Sequence, residues 1–139
     1  MRAFLDTSSL IKLYHLEAGS LALRAQLASD VEIVVTQLTW VESTSSFGRI
    51  VRRGNLAPAA ANIALQKLRS EWPYFQVIKI DEAMFQEAAR LLDKHAALAL
   101  RSLDAIQLAC ALAAGQLDAF FTHDQRLRDA AAAEGLPVR

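Results

Sequence analysis

The chain has 139 residues, 53% of them hydrophobic, and its 15 basic residues balance 15 acidic ones. That is enough for one compact domain with a real core, and zero net charge argues against a broad non-specific nucleic-acid binder while leaving a nuclease open. No apolar run reaches the roughly 18 residues of a membrane-crossing helix, the opening MRAFLDTSSL lacks the pattern of a secretory leader, and the lone Cys110 excludes an internal disulfide and fits a reducing cytoplasm.

Ala3-Phe4-Leu5 is a short apolar run ending at Asp6 and reads as a buried strand. Thr7-Ser8-Ser9 offers capping hydroxyls, and Leu10, Ile11, Leu13, Tyr14 and Leu16 follow at helical spacing. Gly19-Ser20 breaks that pattern before a helix from Leu21 to Ala28. Glu32 to Val35 is a second buried strand. Thr36 or Thr39 can cap the next helix, which carries Glu42 and runs toward Arg53, where Gly54-Asn55 stops it. Pro58 suits the first turn of a helix reaching about Glu71, ended by Trp72-Pro73.

Phe75 to Ile80 is a third strand, and Asp81-Glu82 opens a helix to about His95 with acids in its favoured first turn. Ser102 is a candidate cap for the helix bearing Asp104, an almost wholly apolar, Ala-rich segment that Gly115 ends. Ala119 to Thr122 is a fourth strand closing on His123-Asp124, a last helix follows, and Gly135 to Val138 is a candidate fifth strand. Strands alternating with helices predict an α/β domain over residues 1–139: a mainly parallel sheet of four or five strands with helices on both faces. Such sheets bind ligands at the carboxyl ends of their strands.

Asp6 and Asp124 each follow a strand directly, Glu42 lies shortly after one, and Asp104 stands in the first turn of a helix that can point at the same edge. Taken singly, Asp6 and Asp124 read equally well as helix caps. Glu42 sits among apolar neighbours, where an unpaired acid is costly. Together the four form a cluster in which each pair at about 5 Å repels by roughly 3 kcal/mol at an effective dielectric near 20. A divalent cation is the usual remedy. Oxygen donors favour Mg²⁺ or Mn²⁺ over Zn²⁺, and the three histidines do not fall at zinc-ligand spacings.

The segment FLDTSSLIKLYHLE resembles the opening of PIN-domain proteins, specifically the VapC-type toxins of toxin–antitoxin pairs. TWVES is similar to their second acidic site, RSLDAIQLA to the third and FFTHDQRL to the fourth, in family order across the whole chain. The resemblance implies a PIN-like fold and a Mg²⁺- or Mn²⁺-dependent endoribonuclease that leaves a 3′-hydroxyl and a 5′-phosphate. It makes Asp6 the central ligand, with Glu42 and Asp104 completing a first metal site and Asp124 binding a second ion or orienting water. Thr7, Ser8 and Thr122 become hydrogen-bonding supports for these carboxylates. It also implies an RNA substrate, an antitoxin partner docked along an apolar groove, and a homodimer. Leu10, Leu13, Tyr14, Leu16 and Trp40 are candidate groove residues, with plain core packing as the competing account.

Bases are needed to hold an RNA backbone. Lys12 and Arg101 are candidate substrate contacts, balanced against solvated surface. The trio Arg49, Arg52 and Arg53 fits a favourable charge arrangement at a helix C-terminus. His123 is not needed as a base where a metal activates water. His15 and His95 read as ordinary helix residues, and Cys110 as a small core residue. Two other classes compete. A phospho-aspartate hydrolase needs an acid two residues after Asp6, where Ser8 stands, and a receiver domain needs a lysine after its last strand, where none follows. A non-catalytic PIN-like module usually lacks one or more of the four acids, all kept here. A PIN-like RNA-processing nuclease that is not a toxin also remains.

Overall fold

Four short strands set the frame: β1 (Arg2–Leu5), β2 (Glu32–Thr36), β3 (Gln76–Ile78) and β4 (Ala119–Phe121). The computed structural model describes residues 1–27 and 30–139. All pairings are parallel and the strand order is β3-β2-β1-β4. Phe4 pairs with Val34 on one side and Phe120 on the other. The chain first builds outward from β1 through β2 to β3, then returns to place β4 on the other flank. The reversal lies between β1 and β4, where doubly wound sheets open a crevice at their carboxyl edge.

Among the described residues seven α-helices connect or follow the strands: α1 (Thr7–Leu10), α2 (Ser20–Gln26), α3 (Thr39–Arg52), α4 (Pro58–Glu71), α5 (Glu82–Lys94), α6 (Ser102–Ala113) and α7 (Gln125–Ala133). Alternating strand side chains divide the core. Phe4, Val34 and Phe120 face α5, α6 and α7 through Leu91, Leu108 and Leu127. Ala3, Leu5, Val35 and Phe121 face Leu10, Leu23 and Leu68 on the other side. The Phe4 and Phe120 rings stack at 5.2 Å across the strand pair. A third cluster joins Ile11 to Phe47 of α3 and Ala61 and Ala64 of α4.

Several local expectations change. The proposed fifth strand reduces to a single parallel bridge between Val138 and Phe120, so the sheet has four strands. The second helix starts at Ser20; its expected end at Ala28 lies outside the described residues. The third strand stops at Ile78. Neither Thr36 nor Thr39 caps α3, since Thr36 ends β2, Thr39 is the first helical residue and Leu38 precedes it without a side-chain bond. Ser102 is likewise inside α6, with Arg101 at its N-cap position. Carboxylates do the capping instead: Asp6 accepts from Ser9 N, Asp81 from Met84 N and Asp124 from Leu127 N. No helix among the described residues is long and apolar enough to cross a membrane.

Candidate active site

Asp6 directly follows the inner strand β1, and its backbone is fixed by its N–H donating to Phe121 O of β4 at 3.1 Å and its carbonyl accepting from Ser9 N and Leu10 N of α1. Its carboxylate is 4% exposed. Oδ1 accepts from Ser9 N at 2.9 Å and Oδ2 from Thr122 Oγ1 at 2.7 Å, while Ser8 Oγ reaches both oxygens at 2.8 and 2.9 Å. No cation pairs with it among the described residues. Burial therefore pushes its pKa up to about 6, against the opposing pull of these donors, Thr122 foremost among them.

Glu42 comes from the first turn of α3, where an acid is favoured by the helix dipole. Thr7 Oγ1 and Gln107 Nε2 both donate to its Oε2, each at 2.6 Å. Burial raises its pKa; Thr7 and Gln107 pull it down, and neighbouring Asp104 pushes it up again. Thr7 thus serves Glu42 rather than Asp6. Gln107, 2% exposed, is the site residue that sequence reasoning passed over. Its amide also donates to Thr7 Oγ1 at 3.2 Å and accepts from Thr36 Oγ1 at 3.2 Å, so one side chain ties β2, α1, α3 and α6 together. The available signal was a lone amide one turn past Asp104 in an otherwise apolar helix.

Asp104 sits in the first turn of α6 and Asp124 at the N-cap of α7, and one guanidinium spans them. Arg101 Nε lies 3.1 Å from Asp104 Oδ2, and Arg101 Nη2 lies 3.0 Å from Asp124 Oδ2. Asp124 Oδ1 accepts from Leu127 N at 3.0 Å, so this residue is a helix cap whose other oxygen is turned to the site. Asp6, Glu42, Asp104 and Asp124 all line one cavity of about 690 Å³, as do Lys12, Arg49 and Arg101. The structure brings the four acids together at the carboxyl edge of the sheet.

The basic residues divide. Lys12 lines the cavity but is buried, its ammonium donating to Glu17 Oε1 at 2.8 Å and Ala18 O at 2.7 Å. Neither solvated surface nor a free phosphate contact describes it in this arrangement. Arg49 reaches the cavity, whereas Arg52 and Arg53 stay exposed at the C-terminus of α3. His123 Nδ1 stands 3.0 Å from Ser9 Oγ, and burial lowers its pKa, helped by Lys12. His95 is not an ordinary helix residue: it is buried just past α5, with Nε2 2.7 Å from Glu134 Oε1. Cys110 is a core residue whose thiol burial pushes up to about 11.

The candidate groove does not survive as a unit. Leu10 is fully buried, and Leu13 and Tyr14 pack against the core, Tyr14 donating to Glu71. Leu16 is exposed. Trp40 packs edge-on against Trp72 at 5.1 Å and under the Arg69 guanidinium, on a side of α3 away from the cavity. The apolar side chains at the cavity mouth are instead Val41 and Leu103, each beside one of the acids in sequence and both exposed.

In donor chemistry the cavity fits a hard divalent cation: four carboxylates, no sulfur, and a buried Asp6 lacking a counter-charge. In spacing it is open. Among the described residues no three Asp, Glu, His or Cys side chains converge to enclose one ion.

A family profile described as PIN domain matches residues 3–133. Ribonuclease VapC35 of Mycobacterium tuberculosis is 35% identical over 140 residues, covering 97% of this chain and 93% of the relative. Among solved structures, the Sarcin-Ricin loop cleaving toxin VapC20 of Mycobacterium tuberculosis superposes with a TM-score of 0.68 at 18% identity, covering 96% of this chain and 95% of that one. A toxin-antitoxin complex from Klebsiella pneumoniae gives a TM-score of 0.58 at 21% identity, with 88% and 86% covered. At those identities the two structures speak for the fold alone. The profile match across nearly the whole length, joined to the full-length likeness to a named ribonuclease, makes this chain a member of the PIN-domain family.

Proposed function

We propose that this protein is a divalent-metal-dependent endoribonuclease, the toxin of a toxin–antitoxin pair, hydrolysing RNA phosphodiester bonds in the cavity at the carboxyl edge of its sheet. The observation that carries this reading is four acids from four separate elements lining one cavity around a buried, unpaired Asp6. Its likeness to a named ribonuclease across 97% of the chain supports the same class. When bound, Mg²⁺ or Mn²⁺ supplies activation of the attacking water and neutralisation of charge on the phosphoryl group.

The chain's own residues do the positioning. Asp6, held at both oxygens, would be the central ligand, with Glu42 of α3 and Asp104 of α6, which line the same cavity, completing the set. Asp124 offers one oxygen for a second ion or for orienting water. Thr122 and Ser8 fix Asp6, while Thr7 and Gln107 fix Glu42, which aims these carboxylates before substrate arrives and opposes the upward pull of burial on their pKa. Arg49 and Arg101 put positive charge where the RNA backbone must pass, while Lys12 beside them is held by Glu17. An antitoxin segment would cover the same mouth, where Val41 and Leu103 offer apolar contact beside the acids.

The test is cleavage of a mixed RNA pool by purified wild type and Asp6→Asn, with Mg²⁺ or Mn²⁺ and then with a chelator. Wild type cleaves only with metal, and the variant does not cleave. Equal cleavage by both proteins sinks the assignment. For the toxin role, expression alone arrests growth and the product of an adjacent small open reading frame relieves it; harmless expression of an active nuclease points to RNA processing instead.

A further inference from the structure

Arg101 is the only basic side chain that joins two of the four acids among the described residues. It bridges acids from different elements, Asp104 of α6 and Asp124 at the start of α7. The oxygen it takes on Asp124 is the one that the helix cap leaves over, since Oδ1 is committed to Leu127 N at 3.0 Å. The oxygen it takes on Asp104 is Oδ2, and Asp104 lines the same cavity. The Arg101 side chain is 64% exposed, while the side chains of Asp104 and Asp124 are only 15% and 24% exposed. Arginine cannot shed its charge, so a second cation can reach these oxygens only after the side chain swings away. Exposed ion pairs are weak enough to permit that.

We propose that Arg101 is the site's internal counter-ion: it stands in for a divalent cation at Asp104 and Asp124, and a divalent cation binds by displacing it, releasing the guanidinium toward the substrate phosphate. This rests on the metal-dependent reading above. It opposes two properties that a simple phosphate contact would leave independent, Arg101 pairing and metal affinity. It also gives one residue two positions, one that holds the acids together before metal binds and one that serves the substrate afterwards.

The experiment is a Mn²⁺ titration of the full chain at low ionic strength, read from the electron paramagnetic resonance signal of free Mn²⁺. Wild type, Arg101→Gln, Arg101→Lys and Asp6→Asn are compared. Removing two exposed ion pairs raises the Mn²⁺ affinity of Arg101→Gln by roughly 3- to 10-fold, and the gain shrinks as salt is added. Arg101→Lys, with charge but no fork, falls between. In wild type labelled at arginine nitrogen, Mg²⁺ moves the Arg101 Nε resonance toward that of a free side chain. Affinity in Arg101→Gln that equals or falls below wild type overturns the proposal. If wild type binds Mn²⁺ no better than Asp6→Asn, the metal-dependent reading falls with it. If wild type binds, Asp6→Asn does not, and Arg101→Gln gains nothing, the displacement idea alone is lost.

Discussion

Replacing Asp6 by Asn should stabilise the metal-free protein while abolishing its chemistry. The carboxyl moves from its ordinary 3.8 to about 6 on folding because it is buried. A folded-state pKa above the unfolded one means that the native state holds the proton more tightly. Stability is then undiminished below the unfolded value and falls as pH rises through the interval, levelling off above about 6. A difference of about two pKa units corresponds to about 3 kcal/mol lost at neutral pH. Asn keeps the cap on Ser9 N at little cost. It turns a donor toward Thr122 Oγ1 in place of an acceptor, at a cost of about 1 kcal/mol. The net gain is about 2 kcal/mol, or roughly 8 °C in Tm for a domain of this size. Urea unfolding with a chelator, from pH 3.5 to 8, measures it. Asp6→Asn is the more stable above pH 6, and the order reverses toward the acid end, where wild type regains what its charge costs while the variant keeps its mismatch with Thr122. Saturating divalent metal reverses the order, since only wild type gains binding energy. A variant less stable than wild type at pH 7.5 in chelator refutes the claim that the Asp6 charge is unpaired and strained.

Gln107→Met keeps the volume but leaves Glu42 with one donor, and should cost 10- to 100-fold in metal affinity or cleavage, seen by titration with the fold intact by circular dichroism. Phe120→Ala empties a fully buried position stacked on Phe4, and should cost about 3–5 kcal/mol by chemical denaturation. Glu134 lies below its usual pKa through Lys94 first and then His95, so it stabilises the fold above the ordinary carboxylate range and that support is lost on acidification. Glu134→Gln should therefore flatten the decline of Tm below about pH 5; an unchanged acid limb means that the cluster contributes nothing.

The strands and their order of use were legible because each is a short apolar run closed by a polar residue, and an acid after such a run lands at the sheet's carboxyl edge whatever the details. Asp6 and Asp124 are positioned by that rule alone. Glu42 and Asp104 followed from first-turn placement in helices that begin at the same edge. Orientation was not legible. Spacing puts Thr7 beside Asp6, but the α1 turn carries its hydroxyl across to Glu42. Lys12 is one turn past β1, yet whether its ammonium meets solvent or Glu17 depends on how the Gly19 turn folds back. Gln107 looked like an incidental polar residue because its partners lie 65 and 100 positions away. Val138 shows the opposite error: the right apolar pattern with only one bridge available to it.

The Gln107 amide has a consequence for how the cleft opens and shuts. Glu42 rides on α3, which packs with α4, while Asp104 rides on α6, which packs with α5 and α7 on the other face of the sheet. The walls of the cleft therefore belong to two separately packed leaves, and β1 is the spine between them. The hydrogen bonds from Gln107 to Glu42 and Thr7 are a latch across that spine. Substitutions deep in the α5–α6 seam reach Asp104 by shifting α6 itself, and reach Glu42 across the spine through this latch. Cleft width, and with it the RNA shapes admitted, is thus adjustable from remote positions while the floor at Asp6 stays where the central strand holds it.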